Sequence, residues 1–130
     1  MNKRFIKIST LMIIILVLSA CDLSKIENNS NDNLVNKINV VEDHWINYEG
    51  ISENDKNMVK SQFIPYKPKE NYEVSHDSYV SYFNGDEFIK TELYEDTPEI
   101  ISSVEEADGI ILSFNKEHKS GMQLTITYEP

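Results

Sequence analysis

The sequence predicts an all-β protein: a single antiparallel, jelly-roll-like β-sandwich over residues 37–130, behind a signal peptide and a flexible tether. Short segments in which apolar and polar residues alternate recur about every ten residues, with turn residues between them. An Asn-Gly step joins two of these segments, which is a strong signal for a β-hairpin. Evidence for helices in the same region is thin.

Residues 1–20 are the predicted signal peptide. Three Lys and Arg residues and no acidic residue give a positive start, and the apolar run "LMIIILVL" follows at 11–18. A basic start, a short apolar run and small residues before a cleavage point are typical of secretory signals. The run is shorter than the roughly 20 apolar residues that a membrane-spanning helix needs.

The small residues precede Cys21 in the motif "LSAC", which resembles the lipobox of bacterial lipoproteins. The resemblance implies that Cys21 receives a diacylglyceryl group, is extended with fatty acid such as palmitate, and becomes the first residue of the mature protein. Expected localisation is therefore the extracellular side of the cell membrane, with lipid as the anchor. The alternative is an ordinary signal peptide or anchor helix that contains a cysteine by chance. Because Cys21 is the one cysteine, a disulfide framework and a multi-Cys metal site are excluded.

The mature chain is strongly acidic. Without residues 1–20 it has 9 Lys and Arg against 22 Asp and Glu, a net charge of −13. Nucleic acid is an unlikely partner on electrostatic grounds, since binding requires a basic surface. Anionic lipid headgroups are disfavoured for the same reason. Residues 21–36, the lipidated Cys and an Asn-, Asp- and Ser-rich stretch, are predicted to be a disordered tether.

The strands of the domain follow from the alternation. Candidates are "DHWINYEG", "MVKSQFI", "NYEVS", "SYVSYFNGDEFIK" with its Asn-Gly turn, "GIILSF" and "GMQLTITYEP". Residues 97–107, "TPEIISSVEEA", allow either a helix capped at Thr97 or a strand at Ile100-Ile101 followed by a loop. We favour the strand and loop.

The stretch "SQFIPYKPKENYEVS", 61–75, places two prolines between two of these strands. Proline has no backbone N–H and is confined to strand ends, edges and bulges. The prolines are therefore expected to end one strand and to stiffen the connection to the next. Core or near-core contacts are predicted for Phe63, Ile64, Tyr72 and Val74.

Four segments in order, "WINYEG", "SQFIPYKPKENYEVS", "YVSYFNGDEFI" and "ADGIILSF", resemble a carbohydrate-binding-like β-sandwich module. Such modules occur in phage tail and baseplate proteins of Gram-positive hosts and beside esterase domains of the GDSL class. The resemblance covers most of the domain and implies the sandwich fold together with contact to a glycan or host surface. Its motif residues are mostly core and turn positions, so it predicts architecture more strongly than function.

No catalytic residues are predicted. The sequence contains no Gly-x-Ser-x-Gly elbow, no His-Glu-x-x-His motif and no glycine-rich phosphate loop. The segment "SHDS", 75–78, is interpreted as a turn because adjacent strand residues point to opposite faces. No cofactor is expected. A structural Ca²⁺ ion is considered at 42–43, 86–87 or 105–108, but none of these has the spacing of a calcium loop, and solvated loop charge is the preferred interpretation.

Candidate ligand-binding residues are the aromatic and amide side chains that could contact a sugar: Trp45, Asn47, Tyr48, Tyr79 and Phe83. Tyr79 and Phe83 share a face of their strand opposite Val80 and Tyr82, so one of these two pairs should be exposed. The resemblance implies that Val80 and Tyr82 are the inward residues, so Tyr79 and Phe83 are expected on the outer face. For Trp45, burial in the core is an open alternative. The expected function is a non-enzymatic, membrane-anchored extracellular module that binds a surface glycan or cell-wall polymer. The alternative is a lipoprotein that binds a surface protein, for example a prophage-type exclusion or accessory factor.

Overall fold

The computed structural model describes residues 32–128. The predicted signal peptide, the lipidation site at Cys21 and most of the predicted tether lie outside this range, as do residues 129–130. Within it the chain forms two antiparallel β-sheets and contains no α-helix. The prediction of an all-β sandwich is confirmed.

The described chain contains nine strands and one 3₁₀ turn. The strands are β1 (Val41–Ile46), β2 (Ser52–Lys60), β3 (Ile64–Pro65), β4 (Asn71–Val74), β5 (Ser78–Asn84), β6 (Glu87–Tyr94), β7 (Glu99–Ile100), β8 (Gly109–Asn115) and β9 (Leu124–Thr127), and the 3₁₀ turn is Lys116–His118. The larger sheet has the order β1-β2-β8-β5-β6, with β3 also paired to β8. The smaller sheet has the order β7-β4-β9.

The core lies between the two sheets and is built by the alternation of apolar residues. On β5, Val80 and Tyr82 are fully buried, and on β8 the alternate residues Ile110, Leu112 and Phe114 are buried as well. The smaller sheet contributes Tyr72, Val74 and Leu124, and Met122 precedes β9. The predicted inner positions of β5 and the predicted strand "GIILSF" are therefore confirmed.

The predicted strand at 58–64 is interrupted. β2 and β3 both pair with the same edge of β8. Ser61 lies between them in the chain and bonds to β8 through its side chain as well as its backbone. Its N–H donates to Leu112 O at 2.7 Å, and its hydroxyl oxygen accepts from Leu112 N at 3.0 Å. The side chain thus replaces a backbone carbonyl, and the strand resumes at Ile64 in a new register.

This interruption changes the position of Phe63. Ile64 is buried, as are Tyr72 and Val74, in agreement with the sequence prediction. Phe63 is 47% exposed, so the prediction of a core or near-core contact is wrong for this residue. The Phe63 ring lies against Gly109 on the outer side of the sheet. It can do so because Gly109 has no Cβ atom, which would overlap the ring.

The Asn-Gly hairpin is confirmed, but its turn is shifted by one residue from the predicted Asn84-Gly85. Asn84 pairs with Glu87, so that Gly85 and Asp86 form the two-residue loop. Gly85 has a φ of 56°, the left-handed conformation that such turns require at their first central position. The segment 97–107 contains β7 followed by a loop, which is the interpretation that we favoured.

Buried tyrosine hydroxyls hold this loop on the core. Tyr82 Oη donates to Ser102 O at 3.0 Å, and Ser102 N donates to Tyr94 Oη at 2.9 Å. Val104 N donates to Tyr66 Oη at 3.1 Å. Each of these three tyrosine hydroxyls therefore has a partner, as burial of a polar group requires.

The network continues to the edge strand β6. Tyr94 Oη donates to Glu92 Oε2 at 2.6 Å, and Lys90 Nζ lies 2.6 Å from Glu92 Oε1. Partial burial acts to raise the pKa of Glu92, but hydrogen bonds from Lys90, Tyr94 and Ser102 outweigh it and hold the pKa below its ordinary value. Charged groups at an edge strand also discourage pairing with a second chain.

The chain enters the domain beside the smaller sheet. Leu34 N donates to Leu124 O at 2.8 Å, and Asn33 Nδ2 donates to Met122 O at 3.1 Å. Val35 is 4% exposed and belongs to the core. Asn33 to Val35, which fall within the predicted tether, thus pack on the domain through their apolar and amide side chains.

Candidate functional site

Strand β1 bends away from the edge of the larger sheet and crosses its outer face. The bend is at Asp43, whose φ is 63°, and the pairing with β2 shifts between Glu42 and His44. Lys116 forms an ion pair with Asp43, and Lys119 forms one with Glu42. These pairs join the bend to the 3₁₀ turn that follows β8.

The connection between β1 and β2 is a hairpin turn organised by Asn47. Asn47 N donates to Ile51 O at 2.9 Å, and Gly50 N donates to Asn47 O at 3.1 Å. The Asn47 side-chain oxygen accepts from the N–H groups of Glu49 and Ile51, each at 2.9 Å. Gly50 has a φ of 79°, as expected for the last residue of a three-residue loop with a bulge.

Small polar side chains on the outer face of the sheet receive this turn. Ile46 N donates to Ser113 Oγ at 3.0 Å. Thr91 Oγ1 donates to Asn47 O at 2.9 Å and is within 2.8 Å of Ser81 Oγ. Because Ser81, Thr91 and Ser113 are short, the turn can approach the sheet closely and is held there by hydrogen bonds.

One group of aromatic residues lies beside the turn. The ring centroids of Trp45 and Tyr79 are 4.9 Å apart, and those of Tyr48 and Tyr79 are 6.0 Å apart. Both separations are within the range of favourable aromatic contact. Trp45 and Tyr79 are half-buried, whereas Tyr48 is 58% exposed. Trp45 is therefore not a residue of the core between the sheets.

A second aromatic group extends the first along the same face. Phe83 contacts Phe88 across the β5–β6 hairpin, with centroids 5.7 Å apart, and contacts Phe63 at 6.4 Å. A Cβ atom added to Gly50 would overlap the ring of Phe88, so this ring lies directly against the turn. The two groups thus meet at Gly50. We call them together the aromatic face, which consists of Trp45, Tyr48, Phe63, Tyr79, Phe83 and Phe88.

The structure brings all five predicted ligand-binding residues to one side of the molecule, but gives them different positions. Trp45, Tyr48 and Tyr79 are in mutual contact through Tyr79, and Phe83 belongs to the second group. Asn47 is 4% exposed, and its side-chain amide is occupied by the turn and by Glu53 Oε1 at 2.7 Å. Asn47 therefore positions the aromatic residues on either side of it.

Sequence reasoning missed Phe63 and Phe88 as members of the aromatic face. For Phe88 the reason is a bulge: the pairing of β5 and β6 skips one residue between Tyr82 and Phe83, which leaves Ile89 extra on β6. The bulge puts Phe88 on the same face as Phe83. Its place opposite Phe83 across the Asn-Gly turn was a usable signal, because directly paired residues share a face.

A small pocket adjoins Tyr79 on the outer face. It has a volume of about 240 Å³, and Met58, Tyr79 and Leu93 supply apolar surface. Two carboxylates, Asp77 and Glu95, line it, and among the described residues that border it none is basic. Burial raises the pKa of Tyr79, and the neighbouring Tyr48, Glu95 and Asp55 raise it further.

A wider cleft lies elsewhere, below the connection from β3 to β4. Its volume is about 800 Å³, and its lining mixes Lys67 and Lys69 with Glu70, Glu105 and Asp108. The two lysines offset two of the three carboxylates, and the aromatic ring in the lining, Tyr66, is a buried core residue.

Two of the three segments considered for calcium have other contacts. Glu42 and Asp43 are paired with lysines, and Asp108 Oδ1 accepts from Gly85 N at 2.9 Å, which ties the β5–β6 turn to the start of β8. Within residues 32–128 no group of three or more His, Cys, Asp and Glu side chains is arranged to hold a metal ion.

Two of the histidines meet, although they are far apart in sequence. The rings of His76 and His118 stack with centroids 4.8 Å apart. His76 Nδ1 lies 2.8 Å from Ser75 Oγ, whereas Asp77 Oδ1 accepts from Thr97 Oγ1 at 2.7 Å. The side chains of the "SHDS" segment are thus directed to different partners.

In the described part of the chain, no helix has the length and apolar character needed to cross a membrane. No protein-family model, curated protein or solved structure matches the sequence or the fold.

Proposed function

We propose that the protein is a lipid-anchored extracellular lipoprotein whose sandwich domain binds a surface glycan or cell-wall polymer without catalysis. The aromatic face is the observation that carries the proposal. Six aromatic side chains occupy one side of the larger sheet, where Tyr48 is 58% and Phe63 is 47% exposed. Exposed aromatic rings offer flat apolar surfaces on which the C–H faces of sugar rings stack.

The way in which the face is built supports a binding role. A hairpin turn stabilised by Asn47, Ser113 and Thr91 holds Tyr48 and Trp45 against the sheet. Rings held in one arrangement lose little conformational freedom when a ligand binds, which favours affinity. A spacer domain would gain nothing from aromatic residues kept in this exposed arrangement.

Retention of the full-length protein, incorporated in liposomes, on a glycan array and on purified wall polymers tests the proposal. We expect binding in the presence of calcium, and a roughly tenfold weaker affinity for Tyr48→Ala because one stacking contact is lost. Tyr128→Ala is the matched control, since Tyr128 is 66% exposed but follows β9 of the smaller sheet. Trp45→Ala is a second variant, with thermal unfolding to confirm its fold.

Retention on none of these polymers would contradict the proposal. So would equal weakening by the Tyr48 and Tyr128 variants, because that result would separate binding from the aromatic face. Recovery of one stoichiometric protein from membranes, lost in the Tyr48 variant, would favour the surface-protein alternative.

The lipid anchor is tested separately at Cys21. We expect that Cys21→Ala abolishes incorporation of labelled palmitate and moves the protein out of the membrane fraction, because acyl chains contribute about 0.8 kcal/mol per buried methylene to membrane binding. A variant that stays in the membrane fraction would contradict lipid anchoring.

A further inference from the structure

We propose that the aromatic face selects glycans that carry free amino groups, and that the ammonium group binds between Tyr79 and the carboxylates of the pocket beside it. This inference rests on the proposed function and specifies its ligand class. The pocket and the first aromatic group share Tyr79, so one ligand can contact both.

The cross-strand register places the pocket on the same face as the aromatic rings. Tyr79 is paired with Leu93 on β6 and with Ser113 on β8, so the three side chains share a face. Ile46 N donates to Ser113 Oγ, which brings β1 and therefore Trp45 close to this face. Trp45 and Tyr48 contact Tyr79 but do not line the pocket.

The charge of the pocket favours a cation. Glu95 and Asp77 line it, and neither forms an ion pair with a described residue. One oxygen of Asp77 accepts from Thr97, which leaves its charge uncompensated. An ammonium group here would gain Coulomb attraction from both carboxylates.

The aromatic rings add a second attraction for the same group. A cation within about 6 Å of the face of a Tyr or Trp ring is stabilised by the ring's quadrupole, by about 0.5–2 kcal/mol. Tyr79 borders the pocket, and Tyr48 and Trp45 both contact Tyr79. A neutral acetamido group carries no charge, so it would gain neither the cation–π attraction of the ring nor the charge–charge attraction of the carboxylates.

Pocket size limits what enters. At about 240 Å³ the pocket is smaller than the roughly 300–1,000 Å³ of sites for drug-sized ligands. One amino-sugar residue, or one aminoacyl substituent on a wall polymer, is of this scale. The remaining sugar residues of a chain would then lie over Trp45 and Tyr48.

The charge of the whole protein points in the same direction. After loss of residues 1–20 the chain carries −13, so polymers rich in phosphate or carboxylate are repelled from it. Among the groups of a surface glycan, positively charged amino groups are the ones that the negative charge of the protein attracts.

Trp45 is the only tryptophan in the chain, and its fluorescence reports directly on the aromatic face. The full-length protein is titrated with glucosamine oligomers, with N-acetylglucosamine oligomers of equal length, and with an oligolysine peptide. We expect roughly tenfold tighter binding of the amine-bearing sugar than of the acetylated one. Glu95→Gln should remove most of this preference, and Glu105→Gln, an exposed carboxylate in the wider cleft, should not change it.

The outcomes separate the inference from the proposed function. Equal affinity for both sugars, unchanged by Glu95→Gln, would overturn amine selection while glycan binding stands. Binding of neither sugar nor of aminoacylated wall polymer would overturn both. Oligolysine binding as tightly as the glucosamine oligomer would show recognition of charge alone, and the inference of a glycan ligand would be wrong.

Discussion

The contact between Gly50 and Phe88 can be tested with a matched pair of glycine substitutions. Gly50 and Gly85 both have positive φ, 79° and 56°. A Cβ atom at Gly50 would overlap the Phe88 ring, whereas a Cβ atom at Gly85 meets nothing within 4 Å. Replacing each by alanine therefore adds the same methyl group to similar backbones, with a steric conflict at only one of them.

The expected costs follow from these two contributions. A left-handed conformation costs an alanine about 1–2 kcal/mol, which applies to both variants. Forcing an extra methyl group into a packed contact adds about 1–3 kcal/mol, which applies to Gly50→Ala only. We expect a loss of unfolding free energy of about 1–2 kcal/mol for Gly85→Ala and about 2–5 kcal/mol for Gly50→Ala.

Urea unfolding followed by far-ultraviolet circular dichroism measures both losses. The Phe88→Ala background supplies the control, because there the steric part of the Gly50→Ala cost should disappear and the two glycine variants should become similar. Equal costs in the wild-type background would refute the reasoning, since they would show that the Phe88 ring does not support the turn.

Three further predictions concern the fold. The lowered pKa of Glu92 means that its contribution to stability is complete above the ordinary pKa of about 4.3 and is lost as pH falls through the folded-state pKa. The difference in unfolding free energy between wild type and Glu92→Gln should therefore shrink from about pH 6 to about pH 3. A difference that stays constant over this range would contradict the prediction. Tyr82→Phe removes a buried hydroxyl that donates to the loop before β8 and should cost about 1–2 kcal/mol in urea unfolding, whereas exposed Tyr128→Phe should cost nothing measurable. Ser61→Ala leaves the buried N–H of Leu112 without its acceptor and should lower the unfolding free energy by about 1–3 kcal/mol. Ser61→Thr, which retains a hydroxyl, is the comparison. A loss of unfolding free energy no greater for alanine than for threonine would contradict the role of the hydroxyl.

Much of the fold was predictable because its strands obey simple alternation. Spacing showed that Val80 and Tyr82 share one face of their strand, the resemblance assigned that face to the core, and the Asn-Gly step located the β5–β6 hairpin. The loop at 97–107 was predictable as well, since its residues favour strand and loop over helix. These features depend on neighbours in sequence, and the sequence contains all the information they need.

The candidate site was predictable only in part. Trp45 could equally have filled the core, because its position depends on the bend at Asp43, where a non-glycine residue adopts positive φ. Phe63 and Phe88 changed face through irregular pairing at Ser61 and Ile89. A single irregular residue reverses the alternation beyond it, and alternation alone does not reveal where such residues stand.

The contact of residues 33–35 with β9 fixes the point at which the chain enters the domain. Leu34 is hydrogen-bonded to Leu124 at the edge of the smaller sheet, while the aromatic face is on the outer side of the larger sheet. A protein anchored through Cys21, as proposed, would be pulled toward the membrane from its smaller-sheet side. The lipid would then be joined to the domain at a point outside the aromatic face, whose rings stay available to polymers of the envelope or to the surface of another particle.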